Sequence, residues 1–547
     1  MKMSFRPYPA QLISLALLLP LPTLVLSANQ EDLTRKIDSL SRQLEDLRQQ
    51  MQDMHKQEAA KEERVTSVEQ KTREVEKKTM ETAKPSALEI GGDYRFRFDS
   101  LKGTTSPYYS FQQVLPGMLG MPGAQPPQRL SSQDYRNDSL MTNRFGLNFK
   151  AKATEDVTVK ARLLMYKVWG HENGEAASGF APGSAFFADK FYAFDGNVAH
   201  IPEDNVLHVD QAYATWSNLG GAPAWMSVGR RPSTGGVPTN LRQNIDKNVA
   251  DTSGVPSLLI DYAFDGATLG LAPDIQMLPG AYAKICYGKG FESGYMSANN
   301  SMKDVNFMGV NLVPYATDNL RVEMQWDRAH NIFAYPENRD ASILGLPFGP
   351  NTNLGDVDQF LLGINGVVPD LGSGNLNLFL DGAVSRTHPN SNFFSVMTPN
   401  GPMPLAGLMY DAGSTRESKT GTALYLGGRY DYNPTGTKIG LEYNHGSKDW
   451  VAFAPAADDM WTAKQGVHGD VYELYLIQEI NSKPISRFGK AFFRLGYQYY
   501  DFKYTGSNNW VGAPKSLSDL GDSPANAQMF PALDKSHDVY ATFDVTF

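Results

Sequence analysis

SHDVYATFDVTF, residues 536–547, alternates apolar and polar side chains with a period of two. In an extended strand the odd-numbered residues from Val539 to Phe547 fall on one face, and the even-numbered residues from Asp538 to Thr546 fall on the other. A strand of a transmembrane β-barrel needs an apolar face toward lipid, a polar face toward the lumen and an aromatic residue at the interface. A strand of a soluble β-sandwich shows the same pattern, so the rest of the chain has to distinguish the two.

Length and composition fit one large barrel. The chain has 547 residues, with 26 Tyr, 28 Phe and 49 Gly, and membrane barrels use aromatic girdles and glycine-rich turns. Beyond the N-terminal segment no apolar run reaches about 18 residues, which argues against a helical membrane protein. The net charge of -9 argues against nucleic acid as a partner.

The N-terminal segment has the features of a secretory signal. Lys2 and Arg6 give a positive start, residues 12–26 are mostly apolar, and small residues at 27–28 suit cleavage. We therefore predict a signal peptide at residues 1–28. The alternative is an uncleaved membrane anchor.

Residues 29–84 carry a heptad pattern with charged and amide residues on the flanks. The segment predicts an α-helical coiled coil in the periplasm, about 80 Å long at ~1.5 Å per residue; the alternative is a single amphipathic helix lying on the barrel. Ile at position a with Leu at d favours two strands, and later β-branched positions permit three. Because barrels of this size are commonly trimers, we predict a homotrimer. The a and d positions of the first heptads are Ile37, Leu44 and Met51, and Leu33, Leu40, Leu47 and Met54.

From Leu88 onward, segments of about nine to fifteen residues alternate in the same way, which suits tilted membrane strands. In LEIGGDYRFRFDS, residues 88–100, Tyr94 and Phe96 lie opposite Arg95 and Arg97. A solvated sheet face explains one or two such strands, but not a series of them. Further examples are NRFGLNFKAKA (143–153), VTVKARLLM (157–165), NLRVEMQWD (319–327), LNLFLDGAV (376–384), TALYLGGRY (422–430), TKIGLEYN (437–444), VYELYLI (471–477) and AFFRLGYQY (491–499).

The connection lengths predict the strand number. A barrel with both termini in the periplasm needs an even number of strands, with long loops alternating with short turns. Treating SLLIDYAF (257–264) as loop gives about sixteen strands over residues 88–547, with eighteen as the alternative; barrels of sixteen strands leave an aqueous channel. The predicted long connections are 101–138, 170–205, 232–264, 289–303, 331–355, 387–419, 447–467 and 504–535, and the short ones are 153–154, 217–222, 273–279, 316–318, 369–373, 433–435 and 481–488.

Several stretches resemble an uncharacterised family of proteobacterial outer-membrane proteins regarded as porins, a domain-of-unknown-function class with an N-terminal coiled coil. The resemblance implies a barrel in the bacterial outer membrane, in contact with its lipid, and leaves the solute undefined. Some relatives are thought to lie near multi-haem cytochromes of metal-reducing bacteria. The stretches are GGDYRFRFD (91–99), GRRPSTGGVPTNLR (229–242), DYAFDGATLG (261–270), AYAKICYGKGFE (281–292) and the terminal Phe547.

The candidate lumen residues fall into two groups. In general porins the third extracellular loop narrows the barrel, and by that resemblance the connection 232–264 is the candidate constriction; the alternative is an ordinary surface loop with solvated charges. Inward cations would coat one wall and favour anionic solutes, but acidic residues line other walls and structural ion pairs explain the cations equally well. Selectivity therefore stays open. The constriction candidates are Arg230, Arg231, Arg242, Asp246, Lys247 and Asp251, and the wall candidates are Arg95, Arg97, Arg144, Lys150, Lys160, Arg162, Glu323, Asp381 and Glu442.

Enzyme and cofactor signatures are missing from the sequence. It contains no HExxH, GxSxG, P-loop, CxxCH or metal-spaced Cys/His cluster, so we predict neither catalysis nor a bound cofactor or metal. His208 near Asp210 and His445 near Ser447 are the nearest catalytic pairs, and polar lumen residues explain them more simply. The single cysteine, Cys286, allows no internal disulfide and is expected to be a small lumen residue.

Three functions remain. The leading hypothesis is a porin that passes small polar or charged solutes by diffusion. The alternative is a barrel sleeve that holds a periplasmic multi-haem cytochrome for electron transfer across the outer membrane. In the third, the coiled coil is a spacer between the outer membrane and peptidoglycan.

Overall fold

The computed structural model describes most of the barrel region. The described residues are 88–170, 200, 202, 205–232, 237–245, 258–296, 302–334, 342–343, 345–347, 349, 352–454, 458–486 and 488–547. The predicted signal peptide (1–28) and coiled coil (29–84) lie outside the described residues, so both stay predictions.

Sixteen described strands form one closed antiparallel barrel. Each strand pairs with its neighbours in sequence, and the first strand pairs with the last. The strand number is therefore sixteen, as the connection lengths predicted. The strands are β1 (Leu88–Thr105), β2 (Asp134–Lys152), β3 (Val157–Val168), β4 (His208–Trp216), β5 (Ala224–Pro232), β6 (Ala263–Leu271), β7 (Tyr282–Phe291), β8 (Val305–Ala316), β9 (Leu320–Phe333), β10 (Asn353–Leu371), β11 (Gly374–Pro389), β12 (Thr420–Tyr432), β13 (Thr437–Gly446), β14 (Gly469–Glu479), β15 (Lys490–Phe502) and β16 (Leu533–Thr546).

Long and short connections alternate around the barrel, so it has a long-loop end and a short-turn end. The described part of the segment 257–264 is loop until Ala263, where β6 begins. The long connections are 106–133, 169–207, 233–262, 292–304, 334–352, 390–419, 447–468 and 503–532, and the short ones are 153–156, 217–223, 272–281, 317–319, 372–373, 433–436 and 480–489.

The long connections carry short elements of their own. Helix α1 (Phe111–Met118) and helix α2 (Thr239–Arg242) are α-helical. No helix in these described ranges has both the length and the apolarity needed to cross a bilayer. The remaining elements are 3-10 turns at Leu219–Gly221, Lys464–Gly466, Leu517–Asp519 and Pro524–Asn526, and short strands at Tyr108–Tyr109, Arg129–Leu130, Ser342–Ile343, Leu346–Pro347, Phe394–Thr398, Gly401–Gly407 and Tyr410–Asp411.

The two faces of the strands differ in polarity, as the alternation predicted. In β9, Leu320 and Met324 are 41% and 44% exposed on the outside, whereas Arg321 and Glu323 are buried on the inside. The outer face thus forms an apolar belt suited to lipid. Other exposed members of the belt are Leu269, Ile285, Val310, Phe360, Leu362, Leu380, Leu441, Leu474, Leu495 and Val539.

An apolar core packs against the inner face of β6–β12 toward the long-loop end. Ile260 forms a parallel bridge with Phe453, so the connections 233–262 and 447–468 pair inside the barrel. The Phe453 ring lies 5.2 Å from the ring of Phe307 on β8. This core forms because inward apolar side chains of the strands meet apolar residues of the two connections. Its buried aromatic members are Tyr262, Phe264, Phe307, Phe333, Phe379, Phe394, Tyr425, Trp450, Phe453 and Trp510.

The last residue closes the barrel against the first strand. The Gly92 N–H donates to the Phe547 carbonyl at 2.8 Å, and the Phe547 N–H donates to the Gly92 carbonyl at 3.0 Å. A Cβ on Gly92 would lie 2.6 Å from Cζ of Phe547 and 2.7 Å from the Gly146 carbonyl oxygen. The ring of Phe547 therefore occupies the space that a side chain at position 92 would need.

We expect Gly92→Ala to destabilise the barrel by about 1–3 kcal/mol, because the added methyl group overpacks the closing seam. Urea unfolding in detergent, followed by heat-dependent gel migration, would measure the change. Gly382→Ala is the matched control, since Gly382 also lies within a strand and a Cβ there meets nothing within 4 Å. Equal stability of the two variants would contradict the role of Gly92 at the seam.

Candidate functional site: the charged lumen

Helix α2 lies inside the barrel, against the wall opposite its own strands. The connection 233–262 leaves β5 and returns to β6, yet its backbone is bound by two arginines from β12 and β15. Arg429 donates to the Leu241 carbonyl at 2.5 Å, and Arg494 donates to the Arg242 carbonyl at 2.7 Å. The third long connection therefore crosses the lumen.

The side chain of Arg242 meets three carboxylates. It lies 3.3 Å from Glu442, 3.5 Å from Glu473 and 3.8 Å from Asp459. Burial alone would lower the pKa of the Arg242 guanidinium, but Glu442 and then Asp459 hold it well above its ordinary value. Arg242 stays charged and is fixed in place by charges on β13, β14 and the connection 447–468.

The end of this segment reaches the short-turn end of the lumen. Asn244 donates to Glu479 at 2.9 Å and accepts from Lys438 at 2.6 Å. The Lys490 amine also donates to the Asn244 carbonyl at 3.1 Å. Because Glu479, Lys438 and Lys490 stand beside short turns, the segment extends through most of the lumen depth.

A second segment, 458–466, also enters the lumen. Asp458 accepts from Arg95 at 2.7 Å and lies 3.8 Å from both Arg144 and Arg494. Burial alone would raise the pKa of the Asp458 carboxyl, but Arg95, Arg144 and Arg494 hold it well below its ordinary range. The segment therefore supplies the carboxylate around which the cations of β1, β2 and β15 gather.

Lys464 ties the second segment to the carboxylates that hold Arg242. Its amine bonds Glu473 and lies 3.5 Å from Glu442 and 3.6 Å from Asp459. The side chains of Lys464, Glu442 and Glu473 are at most 2% exposed. This burial means that protein, and not an open channel, covers the wall of β13 and β14.

The arginines of β1 also lie in ion pairs. Arg95 bonds Asp544 at 2.5 Å, and Arg97 bonds Asp99 at 2.6 Å. Arg97 also bonds Asp538 at 3.0 Å and stacks over the ring of Tyr540 at 4.3 Å. Arg162 on β3 reaches across β2 and lies 2.6 Å from Asp93 on β1. The arginine charges on this wall are neutralised by neighbouring strands.

The short-turn half of β2, β3 and β4 is different, because its inward side chains stay accessible. Lys150 is 50% exposed and lies 3.2 Å from Glu89 at the edge of the barrel. Lys160 pairs with Lys150 across the two strands and is also exposed. Gln211 and Tyr213 on β4 are half-buried. We call Lys150, Lys160, Gln211 and Tyr213 the accessible wall, and its charge is positive.

The other constriction candidates occupy different places. Arg231 donates to the Thr268 hydroxyl on the lumen side. Arg230 lies opposite Asp265 in the strand register, and its guanidinium is 3.5 Å from that carboxylate. Asp246, Lys247 and Asp251 lie outside the described residues. The structure thus brings Arg242, but not Arg230 or Arg231, into the central charge network.

Two of the three acidic wall candidates, Glu323 and Glu442, are also bound to neighbours. Glu323 lies 2.9 Å from Arg321, which donates to the Tyr282 hydroxyl at 2.7 Å. Glu442 accepts from the Tyr425 hydroxyl at 2.5 Å. Asp381 is 6% exposed on the inner face of β11. These groups belong to the packed side of the lumen.

The histidine and cysteine candidates have ordinary polar neighbours. Asp210, the predicted partner of His208, lies 2.6 Å from the ring of His200 instead, and His445 lies 2.9 Å from Asp470. The Ser447 hydroxyl accepts from the Thr422 N–H at 2.8 Å. The Thr268 hydroxyl lies 3.3 Å from the Cys286 sulfur.

The apolar belt, the closed sixteen-strand sheet and the charged interior define a porin-like barrel, with two segments of its own chain folded into the lumen. A family model matches residues 134–547, well over half of the chain. The chain belongs to that family, which is described as Protein of unknown function (DUF3373). The resemblance to an uncharacterised family is thereby confirmed. No curated protein matches the chain.

Solved structures that share the barrel outline have low identity. OmpF of Salmonella typhi in complex with daunomycin is 10% identical, with 84% of this chain and 97% of that chain covered and a TM-score of 0.38. OmpT of Vibrio cholerae, in its trimer form, is 11% identical, with 84% and 100% covered and a TM-score of 0.35. An anion-selective porin from Comamonas acidovorans is 11% identical, with 84% and 99% covered and a TM-score of 0.36.

Proposed function

We propose that the protein is an outer-membrane channel that passes small polar solutes by diffusion and favours anions. The observation that carries the proposal is the accessible wall. Lys150 and Lys160 face the lumen and stay exposed, whereas the charges of β13, β14 and β1 are covered by α2 and the segment 458–466.

The physical basis of the preference is electrostatic. Two ammonium groups beside each other in a low-dielectric barrel raise the local concentration of anions and repel cations. The neighbouring arginines contribute less, because Asp93, Asp99, Asp538 and Asp544 pair with them. The ions therefore experience a field set mainly by Lys160 and by Lys150, whose charge is partly offset by Glu89 at the barrel edge.

The narrowing of the lumen supports a diffusion channel over a cytochrome sleeve. A sleeve has to leave the lumen free for another protein. Here α2 contacts Arg429 of β12 and Arg494 of β15, and the segment 458–466 contacts Arg95 of β1. The two segments therefore occupy the side of the lumen next to β12–β16 and β1. Small solutes fit such a remaining space better than a folded partner does.

Single-channel recording in planar bilayers tests the proposal. We expect the purified mature protein to give small conductance steps and, in a salt gradient, a reversal potential of the sign that anion preference produces. Protein that inserts without conducting, or that prefers cations, would overturn the proposal.

We extend the proposal to the assembly: a homotrimer, with residues 29–84 as a periplasmic coiled coil. The heptads of that segment motivate it. Conductance steps grouped in threes, and a trimer mass in light scattering, are the expected results. A monomeric mass for the full mature chain would contradict the trimer.

A further inference from the structure

A cavity of about 650 Å³ lies among the long connections, apart from the lumen charges. Four connections line it: 106–133 with helix α1, 390–419 with its short strands, 447–468 with Trp461, and 503–532. Interiors of proteins are close-packed, with few voids larger than a water molecule. A space of this size falls in the range of small-molecule sites, about 300–1,000 Å³.

The rim of the cavity is held by backbone hydrogen bonds between the connections. The Phe111 N–H donates to the Gln528 carbonyl at 2.9 Å, and the Gly512 N–H donates to the Gly407 carbonyl at 2.9 Å. Leu408 also pairs with Val511 as an antiparallel bridge. These bonds hold three of the connections in a fixed arrangement, so the cavity is present without a ligand.

The lining is mainly apolar. Phe111 and Val114 of α1, Leu405 of the second connection and Val511 and Phe530 of the fourth line the space. All five are only half-buried, although they lie among packed loops. These apolar side chains expose surface to water, and a ligand of matching shape would bury that surface.

The charges at the cavity edge cancel. Lys515 bonds Asp411 at 2.5 Å, and Asp411 also accepts from the Ala513 N–H at 2.9 Å. An ion pair satisfied in this way offers no net charge to a ligand. The ligand that the lining suits is therefore uncharged.

The floor of the cavity is Trp461, which is fully buried. Its indole N–H donates to the His537 carbonyl at 3.0 Å, so the polar atom of this floor residue already has a partner. Trp461 belongs to the same connection as Asp458 and Lys464, so it separates the apolar cavity from the ionic lumen.

We propose that this cavity is a binding site for an uncharged apolar ligand of small-molecule size, with an aromatic ring or a short hydrocarbon chain. The site is independent of the proposed ion path, since none of Lys150, Lys160 and Arg242 lines it. Two kinds of molecule have this chemistry: a free apolar solute, and a membrane lipid that inserts its acyl chain.

Fluorescence tests the site with N-phenyl-1-naphthylamine, an uncharged aromatic dye, and the full mature chain in lipid nanodiscs. Because the chain has seven tryptophans, energy transfer reports dye near any of them, and the cavity-filling variants assign the signal to the cavity. We expect saturable energy transfer to the dye above the level of empty nanodiscs. Ala406→Phe and Ala412→Phe add a ring to the cavity wall, and each is expected to weaken the dye affinity by about tenfold or more.

The matched control is Ala124→Phe, an exposed position in the connection 106–133 that does not line the cavity. It is expected to keep wild-type affinity. Circular dichroism and heat-dependent gel migration verify that each variant is folded, and two filling variants keep the test valid if one misfolds. Wild-type affinity in folded Ala406→Phe and Ala412→Phe protein would overturn the site.

Mass spectrometry of the purified protein separates the two sources. A lipid that is retained by the wild type and lost from the filling variants identifies an acyl chain, whereas dye binding without such a lipid identifies a free solute. Dye uptake no greater than in empty nanodiscs, together with no variant-sensitive lipid, would overturn the proposal. Ion conductance is measured separately, so failure of this site leaves the channel proposal unaffected.

Discussion

Replacing Arg242 by alanine is expected to raise the single-channel conductance and to lower stability. The guanidinium is the one group of α2 that forms ion pairs with both Glu442 and Glu473 on the wall and with Asp459 of the second segment. Removing it leaves Lys464 as the counter-ion for three buried carboxylates. Removal of one partner from a buried ion pair costs about 3–5 kcal/mol.

The conductance should rise because the same change weakens the attachment of α2 to the wall and removes a large side chain from the lumen. Planar-bilayer recording measures the step size, and urea unfolding measures the free energy of unfolding. Arg136→Ala is the matched control, since Arg136 pairs with Asp138 at an exposed site, where its side chain is 64% exposed. We expect that control to keep wild-type conductance and stability.

Two outcomes would contradict this account of α2. Unchanged conductance in folded Arg242→Ala protein would mean that the segment does not narrow the ion path. An unchanged free energy of unfolding would mean that water reaches Arg242, Lys464 and the carboxylates in the folded protein, so that loss of one charge costs little.

The barrel itself could be predicted from the sequence because its signals are local. Period-two alternation sets which side chains face lipid, and the alternation of long and short connections sets the strand number. The seam between β1 and β16 followed from the same pattern in residues 536–547. These features depend on residues within one strand or one turn, so they can be recognised directly in the amino-acid sequence.

The contents of the lumen could not be predicted in the same way. Arg95 finds Asp544 across the seam and Asp458 in a distant connection, and alternation indicates only that Arg95 faces inward. The sequence indicated Arg242 as a constriction residue by resemblance, but gave no sign that its partners are Glu442 and Glu473. Asp458 and Lys464 were missed because the segment 458–466 has no periodic pattern; two adjacent acids and a lysine in a long apolar connection were the only signal.

Burial explains why so many lumen charges are matched. Moving an ion out of water is costly, and pairing with several hydrogen bonds is what offsets the cost. Arg97 is almost fully buried and has Asp99, Asp538 and the Tyr540 ring as neighbours. Lys150 and Lys160, in contrast, remain in contact with solvent, so their stability does not depend on buried partners, although Lys150 has Glu89 beside it. The contrast separates charges that hold the fold from charges that act on ions.

Reversing the charges of the accessible wall is accordingly expected to reverse ion selectivity. The double variant Lys150→Glu and Lys160→Glu replaces two adjacent exposed cations by two anions on the lumen face of β2 and β3. The reversal potential in a salt gradient should change sign, because cations are then concentrated where anions were. Stability should change little, since both side chains are exposed.

The matched control makes the same charge change on the outer face. Lys102 and Lys535 are exposed on β1 and β16 and lie beside His537, on the side away from Arg97 and Asp538. The double variant Lys102→Glu and Lys535→Glu should therefore keep the wild-type reversal potential. If both double variants shift the potential equally, net charge and not the accessible wall determines selectivity. If neither shifts it, ions do not pass along β2 and β3.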